Sequence, residues 1–180
     1  MSMDAKEKLR QQLIYAAGNV QYTYSAHWII VNRLKRRYTV IKVCQIILTA
    51  LSTAGIIKTI SSGLSWLSWL AALSSAIALA LNLYMLNFNL PDSIKNHKDA
   101  ADELWIVREA YKHLLTDIDD IEVEQVRIQR DALTKRVGEI NKQYPGTDSR
   151  SFKKAQDDKG NYTFTDGEAE QLLNIDNPQE

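Results

Sequence analysis

Small or amide-type polar side chains recur at helical spacing within the most apolar part of this chain. They occupy two successive segments, and steps of three, four and seven residues place them on one helix face in each. The first face carries Lys42, Gln45, Thr49, Ser52 and Thr59, and the second carries Ser68, Ser75 and Asn82. Polar groups in hydrocarbon are unfavourable unless they are paired or hydrated. Each face should therefore meet either another protein surface or water.

Two interpretations of these polar faces are open. In the first, the two faces meet and hydrogen bonds between the helices hold them together. A run of small residues at four-residue spacing, Ser68, Ala72, Ala76 and Ala80, supports close packing. In the second, several copies assemble so that one face lines a narrow aqueous path, because two helices are too few to enclose a pore. The residues alone favour packing, since small polar residues in membrane helices more often make contacts.

The segments that carry these faces are long enough to cross a membrane. No charged residue occurs from Thr59 to Pro91, and a second uncharged run, Val43 to Ile57, precedes Lys58. A helix rises about 1.5 Å per residue, so a hydrocarbon core of about 30 Å needs roughly 20 apolar residues. These runs predict a transmembrane hairpin with helices at 38–60 and 66–88 and a connector at 61–65.

The distribution of charge predicts how this hairpin is oriented. Residues 1–37 hold seven basic and two acidic residues, whereas residues 38–91 hold only Lys42 and Lys58. Basic residues near helix ends stay on the cytoplasmic side during insertion, so both termini should be cytoplasmic and the protein should lie in the inner membrane. Lipid headgroups would occupy the basic cluster, so no nucleic-acid partner is expected. The candidate interface residues are Arg33, Lys35, Arg36, Arg37, Tyr38, Lys42, Trp66 and Trp69.

The residues outside the hairpin predict a helical cytoplasmic module. Residues 1–37 have the pattern of an amphipathic helix, and because no proline precedes Pro91, this helix could continue unbroken into the first span. Residues 91–144 are expected to form further cytoplasmic helices. The predicted fold class is therefore all-α: a membrane protein with a two-helix transmembrane hairpin and a cytoplasmic helical module.

A heptad pattern organises the residues after the hairpin. Apolar side chains repeat in steps of three and four from Leu104 to Ile121, as in the seam between two packed helices. The pattern slips near Asp117–Asp120, which predicts two helices, at about 92–117 and 120–143. One long helix with a coiled-coil irregularity is the alternative.

The end of the chain is predicted to be a small appendage. Tyr144-Pro145-Gly146 should end the helical order, and the remaining tail, 145–180, is acidic. Alternating residues predict a short strand at 161–165, and a capping box predicts a short helix at 166–174. We expect this appendage to dock on the helices; a disordered tail is the alternative.

The usual signals of catalysis are missing from the sequence. It has no P-loop, dinucleotide-binding, zinc-protease or nucleophile-elbow motif, so neither an enzyme activity nor a cofactor is expected. His27, His97 and His113 are scattered, which indicates packing or surface histidines rather than metal ligands. The acidic cluster Asp117–Glu124 is interpreted as a solvated helix junction, with a divalent-cation site as the alternative. Cys44 is the only cysteine and can form no disulfide within the chain.

Several segments carry a resemblance to a known family. They are Arg33-Leu34-Lys35-Arg36-Arg37-Tyr38, the hairpin, Ala100-Ala101-Asp102-Glu103-Leu104, Arg108-Glu109-Ala110-Tyr111 and the tail from Thr163 to Leu173. In this layout the chain resembles the SLATT family, the SMODS- and SLOG-associating two-transmembrane effector domains of bacterial defence systems. The resemblance implies a membrane effector that perforates the inner membrane when a partner synthesises or senses a nucleotide signal during phage infection.

The residues and the resemblance together lead to one functional hypothesis. The chain forms a homo-oligomer that permeabilises the bacterial inner membrane on receipt of a nucleotide-linked signal or a partner's signal. The residues expected to line the path, or to pack the helices, are Gln45, Thr49, Ser52, Ser68, Ser75 and Asn82. One alternative is a non-conducting, membrane-anchored helical adaptor. Another is a soluble helical protein that buries the hairpin in its core.

Overall fold

The regular structure of this protein is helical. The computed structural model describes residues 2–62 and 65–157, and within these ranges it contains five helices and no strand. The helices are α1 (Ser2–Ser62), α2 (Ser65–Phe88), α3 (Leu90–Thr116), α4 (Val123–Gln143) and α5 (Ser149–Asp157). The prediction of an all-α fold with two long apolar helices is confirmed.

The chain divides into two compact units. The hairpin unit is Asn32–Ile94, and the helical unit is the described part of Met1–Val31 and Lys95–Glu180. Helix α1 contributes to both, because it runs for 61 residues without a break. The absence of proline from this helix predicts that continuity, since proline would remove a backbone hydrogen bond and clash with the preceding turn.

The apolar side chains of the hairpin unit face outward. Two helical segments are long and apolar enough to cross a membrane, and the most apolar stretches have 0% and 11% of their residues buried. Ile46, Ile60, Trp69 and Leu86 are among the exposed large side chains. A hairpin buried in the core of a soluble protein would have these side chains covered. Their exposure argues against that alternative.

The turn after α2 depends on an asparagine. Asn89 has a φ of 38°, in the left-handed region that asparagine tolerates better than most residues. Helix α3 begins directly after it, and Pro91 lies in the first turn, where the missing backbone N–H has no helical partner to lose. Pro91 therefore lies where one helix has ended and the next begins.

The core of the helical unit combines the two predicted apolar patterns. The buried residues of the heptad seam are Leu104, Val107, Tyr111, Leu114 and Ile118. They form one cluster with the apolar face of α1, which contributes Leu9, Leu13, Ile14, Ala17 and Val20, and with Val126 and Ile140 of α4. Burying apolar area contributes roughly 25 cal/mol per Å², so this cluster is the main stabilising contact of the unit.

A carboxylate links α3 to the end of α4. Arg136 Nη2 lies 2.6 Å from Glu103 Oε2, and the hydroxyl of Tyr144 donates to Glu103 Oε1 at 2.7 Å. The hydrogen bond to this carboxylate raises the pKa of the Tyr144 phenol, because it stabilises the protonated form. The second contact holds Tyr144, the residue that directly follows α4, against α3.

The break between α3 and α4 lies at the acidic cluster. Helix α3 ends at Thr116 and α4 begins at Val123, so the prediction of two helices is confirmed and the alternative of one long helix is wrong. Asp119 joins this junction to α1: its carboxylate lies 2.8 Å from Arg10 Nη2, and its carbonyl accepts from Lys6 Nζ at 2.7 Å. The cluster therefore contacts cationic side chains of the same unit.

The prediction that helical order ends at Tyr144-Pro145-Gly146 is wrong, because α5 follows. Proline and glycine do separate the helices, but Asp148 starts a new one by accepting a hydrogen bond from the backbone N–H of Ser151 at 2.8 Å. An acidic side chain in this position satisfies an otherwise unpaired N–H at the helix start.

Helix α5 docks on α1 through a small apolar contact. Ala155 is buried with Tyr22 and Ala26, and the ring of Phe152 lies 6.2 Å from the ring of Tyr22. Helix α5 is therefore a docked element that the sequence pattern did not predict. The predicted strand at 161–165 and helix at 166–174 lie outside the described residues.

Candidate functional site

The two helices of the hairpin approach most closely at a glycine. A Cβ atom added to Gly55 of α1 would lie only 3.1 Å from the Cβ of Ala71 and 3.4 Å from the carbonyl oxygen of Leu67. Ala71 and Ala78 of α2 are buried on this side, and so is Ser52 of α1. Small residues therefore bring the two backbones together, as in many membrane helix pairs.

Hydrogen bonds cross between the helices on either side of this approach. Ser52 Oγ donates to the carbonyl oxygen of Ala71 at 3.1 Å, and Gln45 Nε2 donates to Asn82 Oδ1 at 3.0 Å. Near the connector, Ser68 Oγ lies 3.4 Å from Thr59 Oγ1. The structure thus pairs Gln45 with Asn82 and turns Ser52 toward α2. These contacts are those expected if the polar faces hold the hairpin together.

One side of the hairpin also carries an open groove of about 740 Å³ that is lined by both polar and apolar side chains. Its polar lining residues are Lys42, Gln45, Thr49, Thr53 and Asn82, and its apolar ones are Ile46, Ala50, Ala54 and Ile57. We call this surface the polar groove. The hydroxyl of Thr49 donates to the carbonyl of Gln45 at 2.8 Å, and that of Thr53 donates to the carbonyl of Thr49 at 3.0 Å. Hydroxyl and amide oxygens with capacity to accept hydrogen bonds therefore line the groove.

The remaining candidate residues of α2 lie elsewhere. Ser75 is exposed outside the polar groove, and Ser68 contacts Thr59 near the connector end of α1. Ala72, Ala76 and Ala80 are exposed, so the small-residue run thought to support packing does not face α1. The contact uses Ala71 and Ala78 instead. A one-residue offset corresponds to about 100° around a helix, and it arises because Gly55 admits Ala71 closely.

Three residues of this site were not identified from the sequence. Gly55 and Ala71 form the closest approach, and Thr53 lines the polar groove beside Thr49. The signal that could have found the first two is a glycine in one apolar helix with an alanine in its neighbour. Thr53 lies one turn after Thr49 and could have been found from the same helical period.

The predicted interface residues lie around the ends of the hairpin, and all of them except the half-buried Tyr38 are exposed. Arg33, Lys35, Arg36 and Arg37 form a basic patch on α1. Arg37 Nη1 donates to the hydroxyl of Tyr84 at 3.4 Å, and Lys42 Nζ lies 5.4 Å from the centre of the Tyr38 ring. At the other end, Trp66 and Trp69 are exposed. This arrangement is typical of residues that contact headgroups, with aromatic rings and cations at the ends of the apolar region.

The helical unit contains a buried histidine pair that the sequence does not reveal. The Nδ1 atoms of His27 and His97 lie 2.9 Å apart, and both side chains are buried. One ring must donate and the other accept, so at most one of the two carries a proton on Nδ1 while the pair is intact. Burial, and then the positive charge of a protonated His97, lower the pKa of His27 to about 4. Both rings are therefore packing histidines that form a hydrogen-bonded pair.

The residues described here offer no metal centre. No group of three or more His, Cys, Asp or Glu side chains among them is arranged to hold an ion. Cys44 is exposed on α1, and it is distant in sequence from both His27 and His97. The polar groups that line the polar groove are amides, hydroxyls and a lysine, which form hydrogen bonds and carry charge.

Replacing Gly55 with leucine is expected to separate α1 from α2. The added side chain would meet Ala71, and overpacking of this kind costs about 1–3 kcal/mol, enough to reduce a closed population by about fivefold or more. The measurement is the yield of a short thiol cross-link between Gln45→Cys and Asn82→Cys in a Cys44→Ser background.

Gly138→Leu is the matched control for this substitution. A Cβ atom at Gly138 of α4 would meet nothing within 4 Å, so the cross-linking yield should stay unchanged. Equal yields in the two leucine variants would contradict the close approach at Gly55.

The comparisons with known proteins identify a family. The family model described as SMODS and SLOG-associating 2TM effector domain family 4 matches residues 9–168. Searches of curated proteins and of solved structures find no match to the chain. The matched range includes both apolar helices and nearly all of the helical unit described above.

Proposed function

This chain belongs to the SMODS and SLOG-associating 2TM effector domain family 4, and we propose that it oligomerises and permeabilises the bacterial inner membrane during antiphage defence. It is a membrane protein with two apolar helices of spanning length. The observation that carries the proposal is the polar groove. In a lipid-embedded monomer, the groove would place the Gln45–Asn82 pair and the hydroxyls of Thr49 and Thr53 against hydrocarbon.

Assembly of several hairpins would remove that unfavourable exposure. A charged or amide side chain near the bilayer centre is costly unless it faces protein or water. When the polar grooves of neighbouring copies turn toward a common axis, their amides and hydroxyls can replace part of the hydration shell of a passing ion. The exposed alanines of α2, Ala72, Ala76 and Ala80, offer a small-residue surface on which a second hairpin could pack closely.

The basic patch supports the proposed orientation. Arg33, Lys35, Arg36 and Arg37 precede the first span, whereas Lys58 is the single charge near the connector. This asymmetry favours cytoplasmic termini. The helical unit would then be available to a cytoplasmic signal, either a nucleotide or a protein that synthesises or senses one. Each cationic residue near an anionic membrane surface would add about 1 kcal/mol to binding.

The test is leakage from vesicles that contain anionic lipid and the purified full chain. We expect release of a trapped dye that rises with protein density and falls about tenfold or more in Gln45→Leu/Thr49→Val, because a barrier raised by 1.4 kcal/mol slows a rate tenfold. Ser75→Ala is the matched control, since this hydroxyl is exposed outside the polar groove. Wild-type leakage should persist in that control.

The outcome that would overturn the proposal has two parts. Vesicles that stay sealed at every protein density, and cells that keep their membrane potential while overproducing the chain, would together exclude a pore. They would favour a non-conducting adaptor. That second function has an observation of its own in its favour: Ser52 already donates to Ala71, and Gln45 to Asn82, within one hairpin.

A further inference from the structure

Beyond opening the membrane, we propose that the assembled hairpins select anions over cations, with Lys42 of each copy forming the charged ring that discriminates. This inference rests on the proposed function, because it concerns the ions that pass through the same polar groove. Rings of basic side chains are a known means of anion selection in pores, just as acidic rings select cations.

The charge of the hairpin unit is almost entirely positive. Between Asn32 and Ile94 there are six basic residues and one acidic residue, a balance of +5. The basic residues are Arg33, Lys35, Arg36, Arg37, Lys42 and Lys58, and the acidic residue is Asp92. Asp92 is engaged by the side-chain amide of Asn89. An oligomer multiplies this imbalance by its number of copies, so the approach to any central path is positive.

Lys42 is the charge that lies in the path itself. It is the one ionisable residue among those that line the polar groove, and it is exposed there. Gln45 and Thr49 follow it by one and two turns on the same side, so an ion entering past Lys42 next meets uncharged polar groups. No acidic residue occurs anywhere from Tyr38 to Pro91 to offset the lysine charge.

Distance separates the effect of Lys42 from that of the basic patch. Arg37 and Arg33 precede Lys42 by five and nine residues, which is about 7 to 14 Å along a helix. The screening length at physiological salt is about 8 Å. At physiological salt, screening therefore weakens the effect of the more distant residues of the patch, such as Arg33, on ions beside Lys42, whereas a lysine within the groove acts on those ions directly. Selectivity set by Lys42 should therefore persist when the salt concentration is raised.

The amides of the groove favour the same ions. Gln45 donates its N–H to the oxygen of Asn82, so the contact occupies the acceptor of Asn82 and none of its donors. A primary amide carries two N–H donors, which bind anions. Thr49 and Thr53 donate their hydroxyl protons to the helix backbone, so the groups that can bind an anion such as chloride in the groove are the Asn82 amide and the ammonium group of Lys42.

The experiment is a current recording across a planar bilayer containing the full chain, with KCl more concentrated on one side. We expect the reversal potential of the wild type to have the sign of the chloride equilibrium potential rather than that of potassium. Lys42→Gln should move it toward zero, and Lys42→Glu should reverse its sign. Lys135→Gln, which removes an exposed lysine of α4 in the helical unit, is the matched control and should leave it unchanged.

The outcomes separate this inference from the proposed function. A wild-type current that reverses on the potassium side, or a Lys42→Glu current that keeps the wild-type sign, would overturn anion selection while leaving a pore in place. Dye leakage without any ion preference would do the same. The absence of current under every condition would instead refute the pore, and the selectivity with it.

Discussion

Replacing Leu104 with alanine is expected to lower the free energy of unfolding of the helical unit by about 3–5 kcal/mol. Leu104 is completely buried and belongs to the cluster that joins α3 to α1 and α4. Removing its side-chain carbons loses the free energy gained by transferring them from water into the core, and it leaves a cavity. The packed helices around Leu104 can move to fill that cavity only in part. A domain stable by 5–15 kcal/mol would lose a large share of its stability.

The measurement is chemical unfolding of the full chain in detergent, followed through the tryptophan fluorescence or the helical circular dichroism. Ile106→Ala is the matched control, because Ile106 lies two residues away on the same helix and is 62% exposed. Its effect should stay within about 0.5 kcal/mol. If the two substitutions destabilised the protein equally, the heptad seam would not be the core of this unit.

Acidification from pH 7 to pH 4 should destabilise the helical unit by about 3 kcal/mol through His27 alone. The pKa of His27 is lowered to about 4 in the folded protein, by burial first and by His97 second, from an ordinary value of 6.5. The unfolded chain therefore binds a proton at a higher pH than the folded chain does. Stability is complete above pH 6.5 and falls as the pH drops toward 4.

The structure gives a geometric reason for this loss. Protonation of both rings would set two Nδ1–H groups against each other across a distance of 2.9 Å, so the pair must separate before both can be charged. The titratable group that acts on His27 in the folded protein is His97 of α3. The folded state therefore requires that the two rings are not both protonated. Protonation of both rings favours unfolding.

The test compares unfolding free energies at pH 7 and pH 4 in the wild type and in His27→Gln. The difference between the two proteins isolates this histidine from the other titratable groups of the unit. His27→Gln should show the smaller loss on acidification. His113→Gln, at an exposed histidine of the same helix as His97, should keep the wild-type loss. Identical pH profiles in all three proteins would rule out the histidine pair as the cause.

Local periodicity explains why much of the helical unit was predictable. The spacing of the apolar residues from Leu104 to Ile118 is a local pattern in the sequence. It identifies the face of the helix that is buried. The slip near Asp117–Asp120 likewise gave the break between α3 and α4. The His27–His97 pair was not predictable, because 70 residues separate its members and no local pattern joins them.

The missed helix α5 has a similar explanation. It has nine residues, too few to be stable alone, and its sequence follows a proline and a glycine. What stabilises it is the contact of Phe152 and Ala155 with Tyr22 and Ala26, more than 120 residues earlier in the chain. A single-sequence pattern shows the amphipathic face of such a helix but not the surface that receives it.

In the hairpin, the sequence predicted one helix face better than the other. Gln45, Ser52 and Thr59 do turn toward α2, as their spacing suggested. On α2 the contact is offset by one residue, from Ala72 to Ala71, because the rotation of one helix against another is set by the depth of contact at Gly55. Hydropathy cannot distinguish these two rotations of α2, because the face with Ala71 and the face with Ala72 are both composed of small apolar residues.

Cys44 is a natural labelling site from which the number of copies in an assembly can be measured. As the sole thiol, exposed on the first apolar helix, it can accept one nitroxide or fluorophore per chain without any engineered substitution. The label would lie two residues from Lys42 and one from Gln45. If the chain assembles as proposed, stepwise photobleaching at this one position would report the number of copies, and dipolar distances would report how far apart the copies lie.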